Sequence, residues 1–587
     1  MSDAVPDAGD KLVVYQLLPR LFTNTATTNT PWGTATENGV GKFEQITDKA
    51  LAEMKALGIT HMWYTGVIEH ATMTAFPGLP ADDADVVKGR AGSPYAIRDY
   101  YDVDPDLATA PEKRMAEWEA LIKRTHKAGM KVVMDFIPNH VARSYKSDAK
   151  PAGIVDLGEQ DDQTKTFAPN NNFYYLPGQA FVVPKQNNPL AAETAPGEDG
   201  KYAENPAKAT GNDIFSATPS LDDWFETCKL NYGWEYAGGQ KTPHFSPVPG
   251  TWVKMRDILL YWAAKDVDVF RCDVAEMVPV EFWAWCIPEV KRARPSVKFV
   301  AEIYNPAAYH RYVQVGKFDY LYDKVGLYDR LRELMAGGGS TGKLDFIWQT
   351  ESRGIERNMY RFLENHDEQR IASPQFAGNA RTAIPGMTVT ALLNRGPVML
   401  YFGQEVGEPG ADAEGFSSAD GRTTIFDYWG VPQHQKWLNG GKFDGGKLSA
   451  DQKDLRAFYS KLLNLCHQPA IRDGEFYGLH FAQERGQAAG YDDQKCYTFL
   501  RYTPTERLLI VVNFDRDHAH DATLKIPEAA LKTLGLPTAG QLRATDILLT
   551  QRELAVSAAD LYAPAPTSGL KVGLPPLSAA VFRLAAQ

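Results

Sequence analysis

The stretches VVMDFIPNH (132–140), DVFRCDVAEMV (268–278), KFVAEIYN (298–305) and RFLENHDEQR (361–370) decide the fold. Each carries a β-prone apolar run that gives way to a carboxylate. In three of them Asp273, Glu302 and Asp367 stand at the C-terminal end of an expected strand. In a (β/α)₈ barrel all such ends meet on one face, so residues nearly a hundred positions apart come to share one pocket. Chemistry is expected there.

Working outward, the chain alternates as such a barrel requires. KLVVYQLL (11–18) reads as a strand, ITDKALAEMKALG (46–58) has the spacing of an amphipathic helix ending at Gly58, and THMWYTGV (60–67) is a strand again. PEKRMAEWEALIKRTHKAG (111–129) repeats the unit, with Pro111 near the helix start, Gly129 at its end, and MKVVMDF directly after it. Strands are expected near residues 12, 60, 131, 268, 298, 318, 358 and 397. That number closes a barrel. Between Ala142 and about Gly250 the alternation stops in a stretch rich in Asn, Pro, Gly, Asp and Lys, which reads as an insertion after the third strand. Beyond about residue 470, CYTFLRYT (496–503), ERLLIVVNF (506–514) and SAAVFRL (578–584) lack long crossover helices, the pattern of an antiparallel β domain. The expected division is an α/β TIM barrel over 1–141 and 251–468, an inserted domain B over 142–250, and a C-terminal β-sandwich over 469–587.

Composition narrows the function classes. At 587 residues the chain exceeds one compact core, so several domains are expected. A net charge of −11 argues against a polyanion-binding surface, and neither nucleic acid nor a membrane is expected as a partner. Cys228, Cys272, Cys286, Cys466 and Cys496 are scattered and form no CxxC pair, so neither a disulfide framework nor a zinc site is signalled. MSDAVPDAGD at the N-terminus has no basic n-region and no apolar h-region, and no run of about 18 apolar residues occurs. As written the chain reads as cytoplasmic; a secreted or periplasmic protein whose signal peptide had been removed would read the same.

In order and spacing the four segments resemble the conserved regions of the α-amylase family, glycoside hydrolase family 13: Asp135 to His140, Arg271 to Asp273, Glu302, and His366 with Asp367. KLN (229–231), PYAIRDYYDVDP (94–105), VVYQLLPRLF and GPVMLYFGQE resemble further family segments, and the likeness covers roughly residues 10 to 465. The resemblance implies a retaining glycoside hydrolase acting on α-1,4 bonds of starch-like glucans or maltooligosaccharides. A transglycosylase or isomerase on the same fold, of glucanotransferase or trehalose synthase type, or an α-1,6-acting glucosidase, stays open as an alternative. A non-catalytic binding subunit on the same fold is disfavoured by the intact acids.

Retention needs one carboxylate as nucleophile and a second carboxyl group about 5 Å away to protonate the leaving oxygen. The resemblance implies Asp273 for the first and Glu302 for the second, with Asp367 gripping sugar hydroxyls. Arg271, two positions earlier on one strand, points to the same side as Asp273 and would keep it ionised. The likeness further implies sugar contacts for His140, His366 and Tyr95, whose ring would stack on a sugar, and for Asn231. An isolated Asp after a strand is commonly a helix cap and an isolated Arg-x-Asp a structural ion pair; the conjunction is what points to chemistry. Asp135 is expected to support rather than react. No cofactor is needed for the reaction. Asn139 matches a family calcium ligand and could equally cap its loop, so a structural calcium ion is a possibility the resemblance raises. Where many relatives carry Lys-His after the nucleophile, this chain has Glu276 and Met277. Val274 fits relatives cutting either linkage, and KLN favours α-1,4.

Overall fold

The computed structural model describes residues 11–185, 196–411, 414 and 419–587. Residues 1–10, on which the compartment expectation rests, lie outside them. Eight strands form one parallel sheet: β1 (Val13–Leu17), β2 (His61–Tyr64), β3 (Lys131–Phe136), β4 (Val269–Cys272), β5 (Lys298–Ala301), β6 (Tyr320–Tyr322), β7 (Met359–Tyr360) and β8 (Val398–Tyr401). Strands β1 to β7 pair in sequence order and β8 lies against β1. Arg361, directly after β7, bridges Val398 of β8 in parallel, so the ring closes into a (β/α)₈ barrel.

The pleat sorts the barrel residues by parity. Leu12, Val14, Trp63, Val133, Val269, Val300, Tyr322, Tyr360 and Met399 pack into one interior cluster. Their neighbours Val13, Tyr15, Met62, Tyr64, Val132, Met134, Phe270, Phe299 and Leu400 face the helices. Followed toward the C-terminal ends, the inward parity turns polar: Val14 leads to Gln16, Val133 to Asp135, Val269 to Arg271 and Asp273, and Val300 to Glu302. All five of those polar residues are buried.

The helices wrap outside as the periodicity requires. Helix Asp48–Leu57 buries Ala50, Leu51, Met54 and Leu57, is capped by Thr47 accepting from the Ala50 N–H, and ends at Gly58 with φ +105°. Gly58 is needed twice over, because a Cβ there would also stand 3.0 Å from the Asn464 nitrogen in helix Ala450–Leu465.

Two excursions rise above the barrel. The first, between β2 and helix Arg114–Lys127, contains a small antiparallel sheet of Ile68–His70 with Ile97–Val103. Sequence reading registered this stretch only as a motif. The second follows β3: His140–Ala142 pairs with Thr227–Lys229, Tyr175–Leu176 with Ala207–Lys208, and Trp234–Ala237 forms a hairpin with Gln240–Pro243. The C-terminal part is antiparallel, a six-stranded sheet spanning Glu475–Gly478 to Ser578–Ala586 with a two-stranded layer of His520–Leu524 and Leu570–Leu574. All five cysteines are free and buried. No helix among the described residues is long and apolar enough to cross a membrane.

Candidate active site

Strand register gathers the charged residues. Arg271 on β4 lies opposite Asp135 on β3 and Val300 on β5. One step further up, the Glu302 N–H donates to the Cys272 carbonyl at 3.1 Å, so Asp273 and Glu302 leave adjacent strands at one level. The Arg271 guanidinium, buried among the rings of Trp63, Tyr95 and Tyr322, serves three acids at once. Its Nη1 donates to Asp273 Oδ1 at 2.7 Å and to Asp135 Oδ1 at 3.4 Å, and Nη2 lies 2.8 Å from Glu302 Oε1. The last contact is an ion pair outside hydrogen-bond alignment, since Nη2 makes no directed bond. Nε donates to Tyr322 Oη at 3.2 Å.

The same cation opposes the effect of burial on both carboxyl groups above it. Burial pushes Glu302 up to about 7; Arg271 opposes this, while the negative charges of Asp273 and Asp367 add to it. Glu302 Oε2 accepts from the Val274 N–H at 2.7 Å and Oε1 from Tyr304 Oη at 2.6 Å. Asp273 is also raised above the ordinary carboxylate range by burial, with Arg271 pulling against that by charge and hydrogen bond. Val274, which links the two acids, sits at φ 35° and ψ 47°. That left-handed backbone is uncommon for a β-branched residue.

Asp367 follows β7 through a turn in which Asn365 Oδ1 accepts from the N–H groups of Asp367 and Glu368, both at 2.9 Å. Its side chain is 35 % exposed against 10 % for Asp273 and 3 % for Glu302, so the cluster opens to solvent on the Asp367 side. Burial alone would raise the Asp367 carboxyl, but His366, 3.1 Å away through Nε2, outweighs it and holds the group below its usual range. The His366 ring stacks on Tyr95 at 5.0 Å, its Nε2 lies 2.6 Å from Tyr95 Oη, and its Nδ1 lies 2.8 Å from Gln16 Nε2. Tyr95 Oη also reaches Asp135, whose other oxygen accepts from Trp63 Nε1 at 2.8 Å. His140, at the entrance to the second excursion, is kept neutral by burial, which pushes it down to about 4, and its ring lies 5.3 Å from that of Trp224.

Asp273, Glu302, Asp367, Arg271, His366 and Tyr95 thus form one connected cluster, and His140 stands on the rim of the same barrel face. Two of the expected site residues are engaged elsewhere in the fold. Asn231 is fully buried; its Nδ2 donates to the Ala168 carbonyl at 2.9 Å and its Oδ1 accepts from the Gly233 N–H at 2.8 Å, so its amide ties the insertion together instead of facing a sugar. Asn139 does not fit the metal-ligand part, because its Oδ1 already accepts from the Lys229 ammonium at 2.7 Å. Sequence reading missed Tyr304, Gln16, Trp63 and Trp224. Tyr304 was within reach, being two residues beyond Glu302, and Gln16 shares the inward parity of Val14. Trp224 offered no signal inside an irregular segment.

The cluster of carboxyl groups around a buried cation thus lies at the C-terminal strand ends of a closed eightfold barrel, the face on which barrel enzymes carry their chemistry. Residues 16–194 match the family model of the alpha amylase catalytic domain. Alpha-amylase 3 of Dictyoglomus thermophilum is 23 % identical over 73 % of this chain and 73 % of its own length. The oligo-1,6-glucosidase of Parageobacillus thermoglucosidasius is 24 % identical over 67 % of this chain and 65 % of its own. The alpha-amylase of Streptomyces lividans is 25 % identical over 74 % of this chain but only 47 % of its own, longer sequence. Among solved structures, that of alpha-amylase from Geobacillus thermoleovorans in complex with acarbose superposes with a TM-score of 0.61 at 19 % identity, covering 98 % of this chain and 99 % of the other. Residues 16–194 are thus similar to the catalytic domain of the α-amylase family, and these likenesses support an enzyme of the glycosidase type.

Proposed function

We propose that this protein hydrolyses α-1,4-glucosidic bonds of starch-like α-glucans or maltooligosaccharides with retention of configuration. The observation that carries the reading is the division of one guanidinium between two carboxyl groups. Asp273 and Glu302 sit on the two terminal nitrogens of Arg271, close enough to serve opposite ends of one scissile bond. In this reading the Asp273 carboxylate attacks the anomeric carbon as Glu302 protonates the departing glycosidic oxygen, leaving a glycosyl ester on Asp273. Glu302, now ionised, takes a proton from water as that water attacks the ester, which regenerates both groups. A Glu302 proton affinity near neutrality suits a group that must give and recover a proton in each cycle.

Asp367 and His366, on the solvent-open side, would hold ring hydroxyls as the sugar flattens toward the oxocarbenium-like transition state, and His140 and Tyr95 would bind the same sugar. The Tyr95 ring already stacks on His366, so it would offer a sugar only the surface that this contact leaves open. The α-1,4 preference is supported by the likeness to alpha-amylases over three quarters of the chain, and the likeness to an oligo-1,6-glucosidase keeps linkage the point to test.

Incubation with maltoheptaose, soluble starch, pullulan, isomaltose and maltose, with products resolved over time, tests the reading. Short maltooligosaccharides from starch, absent with Asp273→Asn and Glu302→Gln, are expected. Predominant turnover of isomaltose would reassign the linkage, and products longer than the substrate, or trehalose, would reassign the reaction to transfer or isomerisation.

A further inference from the structure

The junction between the barrel and the second excursion is built around a buried ammonium. Lys229 is 3 % exposed, and its Nζ lies 2.7 Å from Asn139 Oδ1 and 2.5 Å from Asp213 Oδ1. The Lys241 ammonium stands 3.8 Å from the other Asp213 oxygen. Three separate segments meet at this point. Asn139 follows β3, Asp213 follows the strand Ala207–Lys208, and Lys229 ends the strand that pairs with His140. Backbone bonds run between the same segments: the Leu230 N–H donates to the Asn139 carbonyl at 2.9 Å, the Lys229 N–H to the Ala209 carbonyl at 2.9 Å, and Asn139 Nδ2 to the Gly211 carbonyl at 2.7 Å.

We infer that Lys229 is the internal cation of this junction and holds by its own side chain the position that a divalent metal would otherwise occupy. A calcium ion needs six to eight oxygens at 2.3 to 2.6 Å, several of them charged. Here the side-chain oxygens of Asn139 and Asp213 converge on a point already filled by an ammonium, and one carboxylate faces two lysines. The local charge is therefore positive without a metal, and a divalent ion would be repelled. The amide oxygen of Asn139 is spent in the same contact, so it cannot cap its loop and bind a metal as well. A lysine on a packed strand is a fixed cation whose presence does not depend on metal concentration. By clamping Asn139, it also fixes the backbone of His140 on the barrel rim.

Metal content and thermal unfolding of the full chain test this. The wild type, dialysed against a chelator and then exposed to millimolar calcium, is expected to hold well under one equivalent of calcium by elemental analysis. Its Tm should stay constant within about a degree across the two conditions. Lys229→Met, which keeps the aliphatic stem and removes the charge, is expected to lower Tm by several degrees in both. Should that variant fail to accumulate, Lys229→Arg, which keeps the charge, provides the comparison: near-wild-type Tm is expected, still indifferent to chelator. One equivalent of retained calcium, a wild-type Tm that falls on chelation, or a wild-type Tm in Lys229→Met would each overturn the inference.

Discussion

Glu302 is the residue whose surroundings decide the pH behaviour. Its folded-state proton affinity, near 7, lies above the 4.5 of an ordinary glutamate, so the folded protein binds this proton more tightly than the unfolded chain does. Activity that needs protonated Glu302 is expected to fall as pH rises through about 7, and kcat/KM measured from pH 4 to 9 reads that limb directly. The same sign makes Glu302 a stability loss as pH rises from about 4.5 to 7. Glu302→Gln is therefore expected to unfold at least as high as the wild type at pH 8 while losing on the order of 10³-fold in kcat. Tyr304 donates to Glu302 and so favours its charged form. Tyr304→Phe is expected to move the alkaline limb to higher pH; an unmoved limb would mean that another group sets it. At this scale the sequence was most legible where period-2 alternation could be read, as for Arg271 and Asp273. It was least legible for side chains spent internally: nothing in KLN announces that Lys229 neutralises Asp213 or that the Asn231 amide closes a loop.

At the scale of elements, β3 and the excursion that follows it are coupled through buried polar bonds as well as apolar packing, since Leu157, Phe173, Tyr175, Leu230 and Tyr232 share one core with Phe136 and the barrel helices. Asn231→Ala would leave the Ala168 carbonyl and the Gly233 N–H without their partners, which costs about 1–3 kcal/mol. The expected result is a lower Tm with KM unchanged below the transition, measured by calorimetry and initial rates. A raised KM with an unchanged Tm would restore Asn231 to the sugar. Amphipathic helices such as Asp48–Leu57 declare themselves because every fourth or third side chain must be buried and glycine must end the last turn. The sheet formed by Ile68–His70 and Ile97–Val103 did not, because its pairing is bulged and long-range and its polar residues, Glu69 and Asp99, are buried by loop contacts. Yet that sheet is what carries Tyr95 to His366.

In the whole molecule the barrel and the C-terminal sandwich divide one strand between them. Along Arg507–Asn513, Leu508, Ile510 and Val512 pack into the core that includes the barrel helices, while Leu509 and Val511 pack into the core of the sandwich itself. A single calorimetric unfolding transition is expected, with Ile510→Ala lowering it as a unit at a cost of about 2–5 kcal/mol. Two resolved transitions would show the parts to be independent. Strand alternation made the sandwich legible; which of its faces meets the barrel was not, because both faces are equally apolar.

The central claim is that Asp273 forms a glycosyl ester, and trapping it is the most direct measurement. The protein should be treated with 5-fluoro-α-glucosyl fluoride, whose slowed second step accumulates such an ester, then digested and its peptides weighed. The expected result is one fluoroglucosyl unit on Asp273 in the wild type and none in Asp273→Asn. Labelling of a different carboxylate, or an unlabelled protein that turns α-linked substrate into a β-configured first product, would contradict the account.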